Sequence, residues 1–467
     1  MKTRKQIYSK ITLLLSLLLI ITIGCERALS EDVVLATYSP SPDVYIDGFS
    51  SGLEYYPYLN SKYEAFSVDT QVKYKGSSSM RFDVPVEGDP AGGYAGAIFR
   101  DDNGGRNLTQ YDVLTFWAKA TQSAKINDIG FGQDFGENKF EVSSRGLQLT
   151  TNWVKYIIPI PDASRLIQEK GMLWYAEGPE NGEGYSFWID EVKFEKLGTI
   201  SAIEPLILLG DDKVITSFNG VQTTIDGVSA TFSFTDQLSQ TISISPAYLN
   251  FSSSNTSVAT VDEFGVVTTL NEGTAVITAT FNEQQVSGSL TINSLGAFSH
   301  APVPTQDPAN VISLFSDAYT NVPVNYYNGY WAPWQTTLSD DFTVDGDNIL
   351  QYTIFNFVGV EFSSPTVDAT SMSHFHLDAY IPGPIAPGRQ LRVLLVDFGA
   401  DGAYGGGDDT RHSTTFTAPT LVSQNWISID LPFSSLTGLD SRSNLAQLIL
   451  EGGDGSKIFI DNLYFYN

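Results

Sequence analysis

The densest group of side chains with recognisable chemistry is an aromatic segment near residue 330. The run NYYNGYWAPW at 325–334 holds five large aromatic rings among Gly, Pro and Asn residues typical of a loop. Flat phenols and indoles stack on apolar C–H faces of hydroxylated ligands, while amides and carboxylates bond the hydroxyl edges. The candidate ligand-binding residues are Tyr330, Trp331 and Trp334, which we expect to reach solvent, together with Tyr327.

A thinner aromatic set occurs in the first half of the chain. The run LEYYPY contains Tyr56 and Tyr58, and Trp174 follows much later in a second aromatic pair. These three are further candidate ligand-binding residues. By contrast, Trp117 and Trp188 lie inside alternating strands, and we expect them in the core.

A second cluster is acidic. Asp397, Asp401, Asp408 and Asp409 fall within one glycine-rich segment. Carboxylates crowded in this way repel one another without a cation, and hard oxygen ligands suit Ca²⁺. Asp397, Asp401 and Asp408 are therefore candidate metal ligands. A solvated acidic loop, or carboxylates that bond sugar hydroxyls, is an equal alternative.

Short alternating strands separated by turns must position all these side chains, which indicates β-sandwiches. An internal repeat organises them, because the segment FWIDEVKF around Asp190 returns as IFIDNLYF around Asp461. Asp47 lies 143 residues before Asp190, and Asp317 lies 144 residues before Asp461. The agreement predicts two copies of one sandwich.

Both copies resemble the β-jelly-roll carbohydrate-binding modules. The resemblance implies that the opening and closing strands lie side by side, with acidic side chains that hold a structural Ca²⁺. It makes Asp47 with Asp190, and Asp317 with Asp461, candidate calcium ligands. The alternative is that each aspartate only caps or turns a strand, because Ca²⁺ requires six or more oxygens.

The middle of the chain is rich in Ser, Thr and Val. Its segments SVATVD, FGVV and GTAVIT, between residues 257 and 278, resemble the bacterial immunoglobulin-like group 2 domain. Val258, Val261 and Val266 alternate with polar residues, as in half-buried strands. The resemblance implies a spacer between two binding modules.

The last domain resembles an accessory domain carried by laminarinases of glycoside hydrolase family 16 and by surface glycan-binding lipoproteins. The resemblance covers most of 305–467 and rests on VISLFSD, the aromatic run, SMSHFH and DFGADG. It implies binding of a β-glucan or related polysaccharide, and it brings no catalytic residue.

The amino terminus has four basic residues among its first ten, followed by an apolar run at 11–23 that is too short for a comfortable membrane span. Gly24 and Cys25, the only cysteine, follow the run. The segment 21–25 resembles the lipobox of bacterial lipoproteins, although Thr22 departs from that pattern. The resemblance implies lipidation of Cys25 and an outer-membrane location facing the exterior. An ordinary secretory signal with an incidental cysteine is the alternative.

The predicted fold class is all-β, with three tandem β-sandwich domains: jelly roll, immunoglobulin-like and jelly roll. The predicted order is signal peptide 1–24, lipid tether 25–43, jelly roll 44–197, immunoglobulin-like spacer 203–293, linker 294–306 and jelly roll 307–467.

A net charge of −27 argues against nucleic-acid partners. The sequence lacks the catalytic motif of family 16 hydrolases, a zincin histidine pair and a phosphate loop. The leading hypothesis is a non-catalytic lipoprotein that captures polysaccharide at the cell surface, with an outer-membrane glycan transporter as a possible partner. A glycoside hydrolase or lyase on a sandwich fold, and a surface adhesin, are the alternatives.

Overall fold

The computed structural model describes residues 38–235 and 239–467. In these ranges the chain is all-β, with five short 3₁₀ helices and no α-helix, which confirms the predicted fold class. Cys25, the signal peptide and most of the tether lie outside the described residues. Among the described residues, no helix is long and apolar enough to cross a membrane. The described chain forms two compact units: unit 1 is 38–201 with 234–235, and unit 2 is 202–233 with 239–467.

Unit 1 is a sandwich of antiparallel sheets. Its strands are β1 Asp43–Tyr45, β2 Leu53–Pro57, β3 Phe66–Asp69, β4 Ser79–Val84, β5 Ala95–Asp101, β6 Val113–Ala120, β7 Ala124–Phe131, β8 Val142–Leu149, β9 Val154–Pro159, β10 Gly171–Glu177 and β11 Tyr185–Glu195, with a 3₁₀ helix at Ala163–Arg165.

The sheet ordered β3-β4-β11-β6-β9, with β1 on β11, is called back sheet 1. The sheet ordered β8-β7-β10-β5-β2 is called front sheet 1. Between them lies an aromatic core in which Phe82 stacks on Phe187 with ring centroids 4.7 Å apart and meets Tyr175 edge-on at 4.5 Å. Because side chains alternate along each strand, the remaining residues of front sheet 1 form its outer face.

Unit 2 begins with the immunoglobulin-like part. Its strands are β12 Ile200–Leu206, β13 Asp212–Ser217, β14 Gln222–Thr224, β15 Ser229–Phe234, β16 Ser239–Ile244, β17 Asn250–Ser253, β18 Ala259–Val261, β19 Val266–Thr269, β20 Gly273–Phe281, β21 Gln284–Gln285 and β22 Ser289–Ser294, with 3₁₀ helices at Leu208–Gly210 and Pro246–Tyr248. The sheets run β13-β22-β20-β17 and β14-β19-β18, and β15 pairs with both β12 and β16.

The second jelly roll completes unit 2. Its strands are β23 Val311–Phe315, β24 Leu338–Val344, β25 Asp347–Thr353, β26 Phe357–Glu361, β27 His374–Tyr380, β28 Leu391–Asp397, β29 Thr410–Phe416, β30 Trp426–Pro432, β31 Leu445–Glu451 and β32 Ile458–Tyr466, with 3₁₀ helices at Pro308–Asn310 and Phe433–Ser435. Back sheet 2 is β24-β25-β32-β27-β30 with β23 on β32, and front sheet 2 is β26-β31-β28-β29. Back sheet 2 repeats the strand order of back sheet 1, as the internal repeat predicts.

The immunoglobulin-like part packs against the outer face of back sheet 2. Phe218 and Phe298 join Phe342, Tyr380 and Phe459 in one buried cluster. The predicted linker 294–306 takes part, because the Trp426 indole donates to the Ser299 carbonyl and Asn462 Nδ2 donates to the Pro302 carbonyl at 3.2 Å. The segment is therefore packed between the two domains of unit 2.

Candidate functional site

The outer face of front sheet 2 forms a cleft of about 530 Å³. Its floor is apolar, since Leu394 and Val396 of β28 and Ile449 of β31 point outward between the core residues of their strands. Polar and aromatic side chains surround the floor; they are Trp331, Glu361, Tyr404, Asp409, Arg411 and Gln447. A volume of this size is typical of small-ligand sites.

Trp331 lies flat at one edge of the cleft. Its six-membered ring rests on the backbone of Gly359 in β26, where any Cβ would overlap the indole. Glycine inside a strand often marks such a close approach. The Trp331 indole N–H also donates to the Tyr326 hydroxyl at 3.3 Å, so the ring is fixed from two sides.

Glu361 lies beside Trp331 and accepts three hydrogen bonds. The donors are the Tyr326 hydroxyl at 2.6 Å, the Ser363 hydroxyl at 2.7 Å and Gln447 Nε2 at 3.0 Å. Burial acts to raise the pKa of Glu361, but these donors outweigh it and lower the pKa overall. Glu361 is therefore an ionised acceptor at neutral pH.

The opposite edge of the cleft is formed by β29 and the acidic loop before it. Asp409 accepts from the Gly405 amide through Oδ2 at 2.8 Å. Its Oδ1 is buried and has no hydrogen-bond partner among the described residues. Arg411 lies beside Val396 across the strand pair, and the exposed ring of Tyr404 packs on Phe398 at 5.6 Å.

The structure separates the four aromatic residues predicted from the loop. Trp331 lines the cleft, whereas Tyr327 and Tyr330 line a different cavity of about 610 Å³ that also contains Tyr352. Trp334 is 73% exposed and belongs to the lining of neither. The Tyr327 hydroxyl donates to the Leu314 carbonyl at 2.8 Å. The loop therefore presents its rings in more than one direction.

The outer face of front sheet 1 is also aromatic and polar. Tyr56 lies next to Ile98 in the ladder, and Tyr58 and Tyr94 flank Gly96. A Cβ on Gly96 would lie 2.7 Å from one ring atom of Tyr94 and 2.9 Å from one of Tyr58. Both rings thus lie close over the strand, as Trp331 does over Gly359.

Polar groups hold these tyrosines. The Tyr56 hydroxyl donates to Asp102 Oδ2 at 2.6 Å, and Arg100 pairs with the same carboxylate. The Tyr58 hydroxyl donates to Gln133, whose amide donates to Glu141 at 2.9 Å. Burial raises the pKa of Glu141, although the Gln133 amide opposes the shift. The face combines stacking rings with hydrogen-bonding groups.

Trp174, the third residue predicted to contact ligand in this half, lies in a different environment. Only 5% of it is exposed, and its indole N–H donates to the Phe131 carbonyl at 3.3 Å. Its ring N–H lies close to the site where Gly130 would carry a Cβ. Trp174 therefore has little exposed surface, and its contact with a ligand stays a prediction.

Asp47 and Asp190, the first pair of predicted calcium ligands, both bind backbone amides of one loop. Asp190 Oδ2 accepts from the amides of Tyr74 at 2.8 Å and Lys75 at 3.1 Å. Asp47 Oδ1 accepts from the amides at 77 and 78. These hydrogen bonds match the capping alternative stated above.

Asp317 and Asp461, the second pair, lie in an acidic environment. Asp317 accepts from the Asn348 amide at 2.7 Å. Asp461 is 4% exposed and lies opposite Asp378 in the ladder. Burial above all, then the charges of Asp347, Asp378 and Asp317, raises the pKa of Asp461 to about 7.

The carboxylates of the acidic loop mostly shape turns. Asp397 accepts from the amides of Gly399 and Asn444, Asp401 accepts from the Ala403 amide, and Asp408 accepts from the Ala400 amide. Among the described residues, no group of three or more His, Cys, Asp or Glu side chains is arranged to hold a metal ion. Calcium therefore stays a prediction.

Sequence reasoning missed most of the cleft. Glu361, Gln447 and Arg411 lie on separate strands without a local motif, and Asp409 was noted only as part of the acidic loop. One usable signal was present: Gly96 and Gly359 interrupt strands, and glycine in that position suggests a close approach to the backbone.

Two family models match the chain. Residues 39–196 match carbohydrate binding domain 30, and residues 245–282 match the immunoglobulin-like domain of intimin. The first sandwich is thus similar to a carbohydrate-binding module. The second match confirms an immunoglobulin-like domain in the middle of the chain. No protein of curated function matches the chain.

Several solved structures show a weak likeness. One is a family 11 carbohydrate-binding module from Clostridium thermocellum in complex with a β-1,3-1,4-mixed-linked tetrasaccharide, at 15% identity, 34% of this chain, 96% of that chain and a TM-score of 0.26. Another is a family 30 module, at 17% identity, 36% of this chain, 89% of that chain and a TM-score of 0.24. A tandem of two family 22 modules from Paenibacillus barcinonensis aligns with 93% of this chain and 99% of its own, at 12% identity and a TM-score of 0.22.

Proposed function

We propose that the protein is a non-catalytic polysaccharide-binding protein of the cell surface, which captures glycan in the cleft of front sheet 2. The observation that carries the proposal is Trp331, an indole fixed flat beside an apolar floor and an ionised acceptor. An apolar ring face next to hydrogen-bonding groups matches the two surfaces of a sugar.

The dimensions of the cleft favour a chain segment over a single sugar. Its two edges belong to β26 and β29, the outermost strands of a four-stranded sheet. Three strand spacings amount to about 14 Å. Trp331 and Tyr404 stand at opposite edges and supply a ring at each end.

Unit 1 supports the same function. Its match to carbohydrate binding domain 30 and the tyrosines around Gly96 favour a second site on front sheet 1. Two weak sites on one chain retain a polymer better than either alone, because the second contact is intramolecular.

The finer part of the proposal concerns ligand and location. We take β-glucan as the first ligand to test, because the last domain resembles the accessory domain of laminarinases. Lipidation at Cys25 would hold the protein at the outer membrane, where a glycan transporter would be its partner. The cysteine is tested by metabolic labelling with a fatty-acid analogue, in which Cys25→Ser should abolish incorporation.

Isothermal titration of the full chain against laminarin, mixed-linked β-glucan, xylan and mannan tests the binding function. We expect heat with at least one polymer, and weaker binding after Trp331→Ala. Absence of heat with every glycan contradicts the proposal.

A hydrolase is the rival, because Glu361 and Asp409 line one cleft. Glycoside hydrolysis needs one carboxylic acid with a raised pKa, whereas the pKa of Glu361 is lowered. Glu361 therefore does not fit the role of the acid, and we expect no release of reducing sugar from the same polymers after prolonged incubation.

A further inference from the structure

We propose that Arg411 is a glycan-contacting residue in the cleft of front sheet 2, and that its guanidinium donates to two neighbouring oxygens of one sugar. The inference rests on the proposed function. It adds a specificity-determining residue and the arrangement of oxygens that this residue recognises. No motif of the sequence singles out Arg411, so the inference depends on its place in the sheet and on the contacts of its side chain.

The side chain of Arg411 lies on the face that carries the cleft. The strand pairings place Glu361, Gln447, Val396 and Arg411 in one row across front sheet 2, from β26 to β29. Residues directly opposite one another in a ladder share a face of the sheet. All four of them line the cleft. Arg411 therefore faces the cleft at the edge opposite Glu361.

The next row across the sheet is apolar. Gly359, Ile449 and Leu394 lie opposite one another in it, and the Trp331 ring rests on Gly359. Two residues along a strand span about 7 Å, so this row lies close beside the first. A sugar that stacks its C–H face on the apolar row thus brings a hydroxyl edge to the polar row, where Arg411 lies.

The guanidinium of Arg411 is available to a ligand. Arg411 is exposed, and its side chain makes no hydrogen bond or ion pair with any of the described residues. At the other end of the row, by contrast, Glu361 already accepts three hydrogen bonds from the protein. Arginine presents its N–H donors in a planar fork that matches two oxygens at once, whereas lysine offers a compact point charge.

The experiment is isothermal titration of the full chain with laminarin, mixed-linked β-glucan, xylan, mannan and polygalacturonate. Each polymer that gives heat is then titrated into the variants. We expect Arg411→Ala to weaken binding about tenfold. Arg411→Lys should weaken it at least about fivefold, because lysine keeps the charge but loses the fork.

Arg392→Ala is the matched control. Arg392 is exposed on the same outer face, but it pairs with Glu451 and lies outside the lining of the cleft. Its loss should change affinity less than about twofold, because a surface ion pair contributes little. The two arginine-to-alanine variants carry the same change in net charge, so a difference between them reports contact with the glycan.

Salt distinguishes the two sources of a pair of oxygens. Two neighbouring hydroxyls are uncharged, so their binding to Arg411 should not depend on salt, whereas binding of a carboxylate weakens as salt screens the charges. We expect salt-independent binding of a neutral polymer. Tighter binding of polygalacturonate that weakens with salt and is lost in Arg411→Ala would keep the role of Arg411 and assign its partner to a carboxylate.

Thermal melting of each variant precedes titration, and Arg411→Lys decides alone if Arg411→Ala does not fold. The inference is overturned if Arg411→Lys binds as tightly as the unchanged chain, because charge alone would then suffice. It is also overturned if Arg411→Ala matches Arg392→Ala while Trp331→Ala weakens binding; in both cases the cleft stays a glycan site. If Trp331→Ala has no effect either, the cleft itself is wrong, and absence of heat with every polymer overturns the proposed function.

Discussion

The outer faces of the two back sheets use equivalent positions in opposite ways. In ladder register, Phe459 of back sheet 2 takes the place of Trp188 in back sheet 1, because each precedes the repeated Asp by two residues. Phe459 is buried under Phe218 and Phe298 of the immunoglobulin-like part. Trp188 donates from its indole to Asp69 at 2.9 Å and carries the Arg81 guanidinium over its ring.

The neighbouring positions show the same difference: they are apolar on back sheet 2 and charged or amphipathic on back sheet 1. Tyr380 lies opposite Phe459 in the ladder, whereas Lys119 lies opposite Trp188. Within unit 1, Tyr74 stacks on Trp117 at 3.9 Å and protects that ring from one side. An apolar face in this fold therefore joins a second domain, and an amphipathic one is covered by its own side chains.

The largest effect is expected at the covered face. Phe218→Ala removes a buried ring that contacts Phe298 at 4.8 Å and Phe459 at 5.8 Å. We expect a loss of about 3–5 kcal/mol from the unfolding free energy of unit 2. Denaturant unfolding of the full chain measures it through the transition assigned to unit 2.

The control for this prediction is Tyr74→Ala, in the loop between β3 and β4 that covers part of the outer face of back sheet 1. Tyr74 is 39% exposed, stacks on Trp117 and meets Trp153 edge-on at 5.9 Å, so its loss should cost about 1 kcal/mol or less. Equal losses of unfolding free energy in Phe218→Ala and Tyr74→Ala would contradict the difference between a domain-covered face and a face covered by its own side chains.

The two repeated aspartates give the second contrast. Asp190 accepts from the amides of Tyr74, Lys75 and Glu191, so its charge is compensated. Asp461 accepts from the Asn462 amide at 2.6 Å but is surrounded by other carboxylates. The closing motif thus places a carboxylate with three amide donors in unit 1, and a buried carboxylate among other acidic side chains in unit 2.

We expect opposite signs for the matched variants. The folded pKa of Asp461, about 7, lies above the unfolded value, so the folded chain holds a proton that the unfolded chain releases, and stability falls as pH rises from about 4 to 7. Asp461→Asn removes this loss and should stabilise unit 2 by about 1–3 kcal/mol at pH 8, with little effect at pH 4. Asp190→Asn replaces one of the two oxygens that accept from these amides by an N–H₂ donor, and it should destabilise unit 1 by about 1–3 kcal/mol.

Melting curves from pH 4 to pH 8 measure both variants. The same series tests calcium binding. We propose a calcium ion at Asp317 and Asp461 rather than at Asp47 and Asp190, because Asp461 and Asp317 lie among other carboxylates. Added Ca²⁺ should raise the melting temperature of unit 2 at pH 8, and Asp461→Asn should remove the effect. A calcium shift that survives Asp461→Asn but vanishes in Asp190→Asn would reverse the assignment.

Sequence patterns predicted the frame of the fold better than its surfaces. The immunoglobulin-like segments carry period-two alternation, which sets strand and face, and the repeated closing strand predicted two copies of one sandwich. Alternation also separates Phe187 from Trp188, but it does not say which of the two faces points inward, and Trp188 lies on the outer face. The run Ile458-Phe459-Ile460 held a clue, because a strand without alternation is often buried on both faces.

The candidate site depended on tertiary placement that no local pattern contains. Residues from the aromatic loop, β26, β31 and the acidic loop meet only because four strands lie in the order β26-β31-β28-β29. Trp331 and Trp334 are three residues apart and have different surroundings. Sequence composition identified the aromatic loop, but it could not say which ring faces the cleft.

Trp331 and Trp334 offer the next test. Trp331→Ala removes the fixed ring of the cleft and should weaken glycan binding to unit 2 by about 2 kcal/mol, roughly thirtyfold in Kd. Trp334→Ala should change affinity less than about threefold, because its ring lies outside the cleft lining. Titration with the polymer that binds best measures both. A larger loss for Trp334 would move the site out of the cleft and onto the exposed loop.

The smallest expected effects belong to the strand glycines, which compare the two front sheets directly. Gly359→Ala should push the Trp331 indole off β26 and weaken binding about tenfold, since a Cβ overlaps the ring. Gly96→Ala should weaken binding only a few fold, because the Tyr58 and Tyr94 rings can rotate away from the new methyl group. The second variant is measured in a Trp331→Ala background, where unit 1 supplies the remaining affinity. If Gly96→Ala leaves that remaining affinity unchanged, front sheet 1 is not a glycan site, and capture depends on the cleft of unit 2 alone.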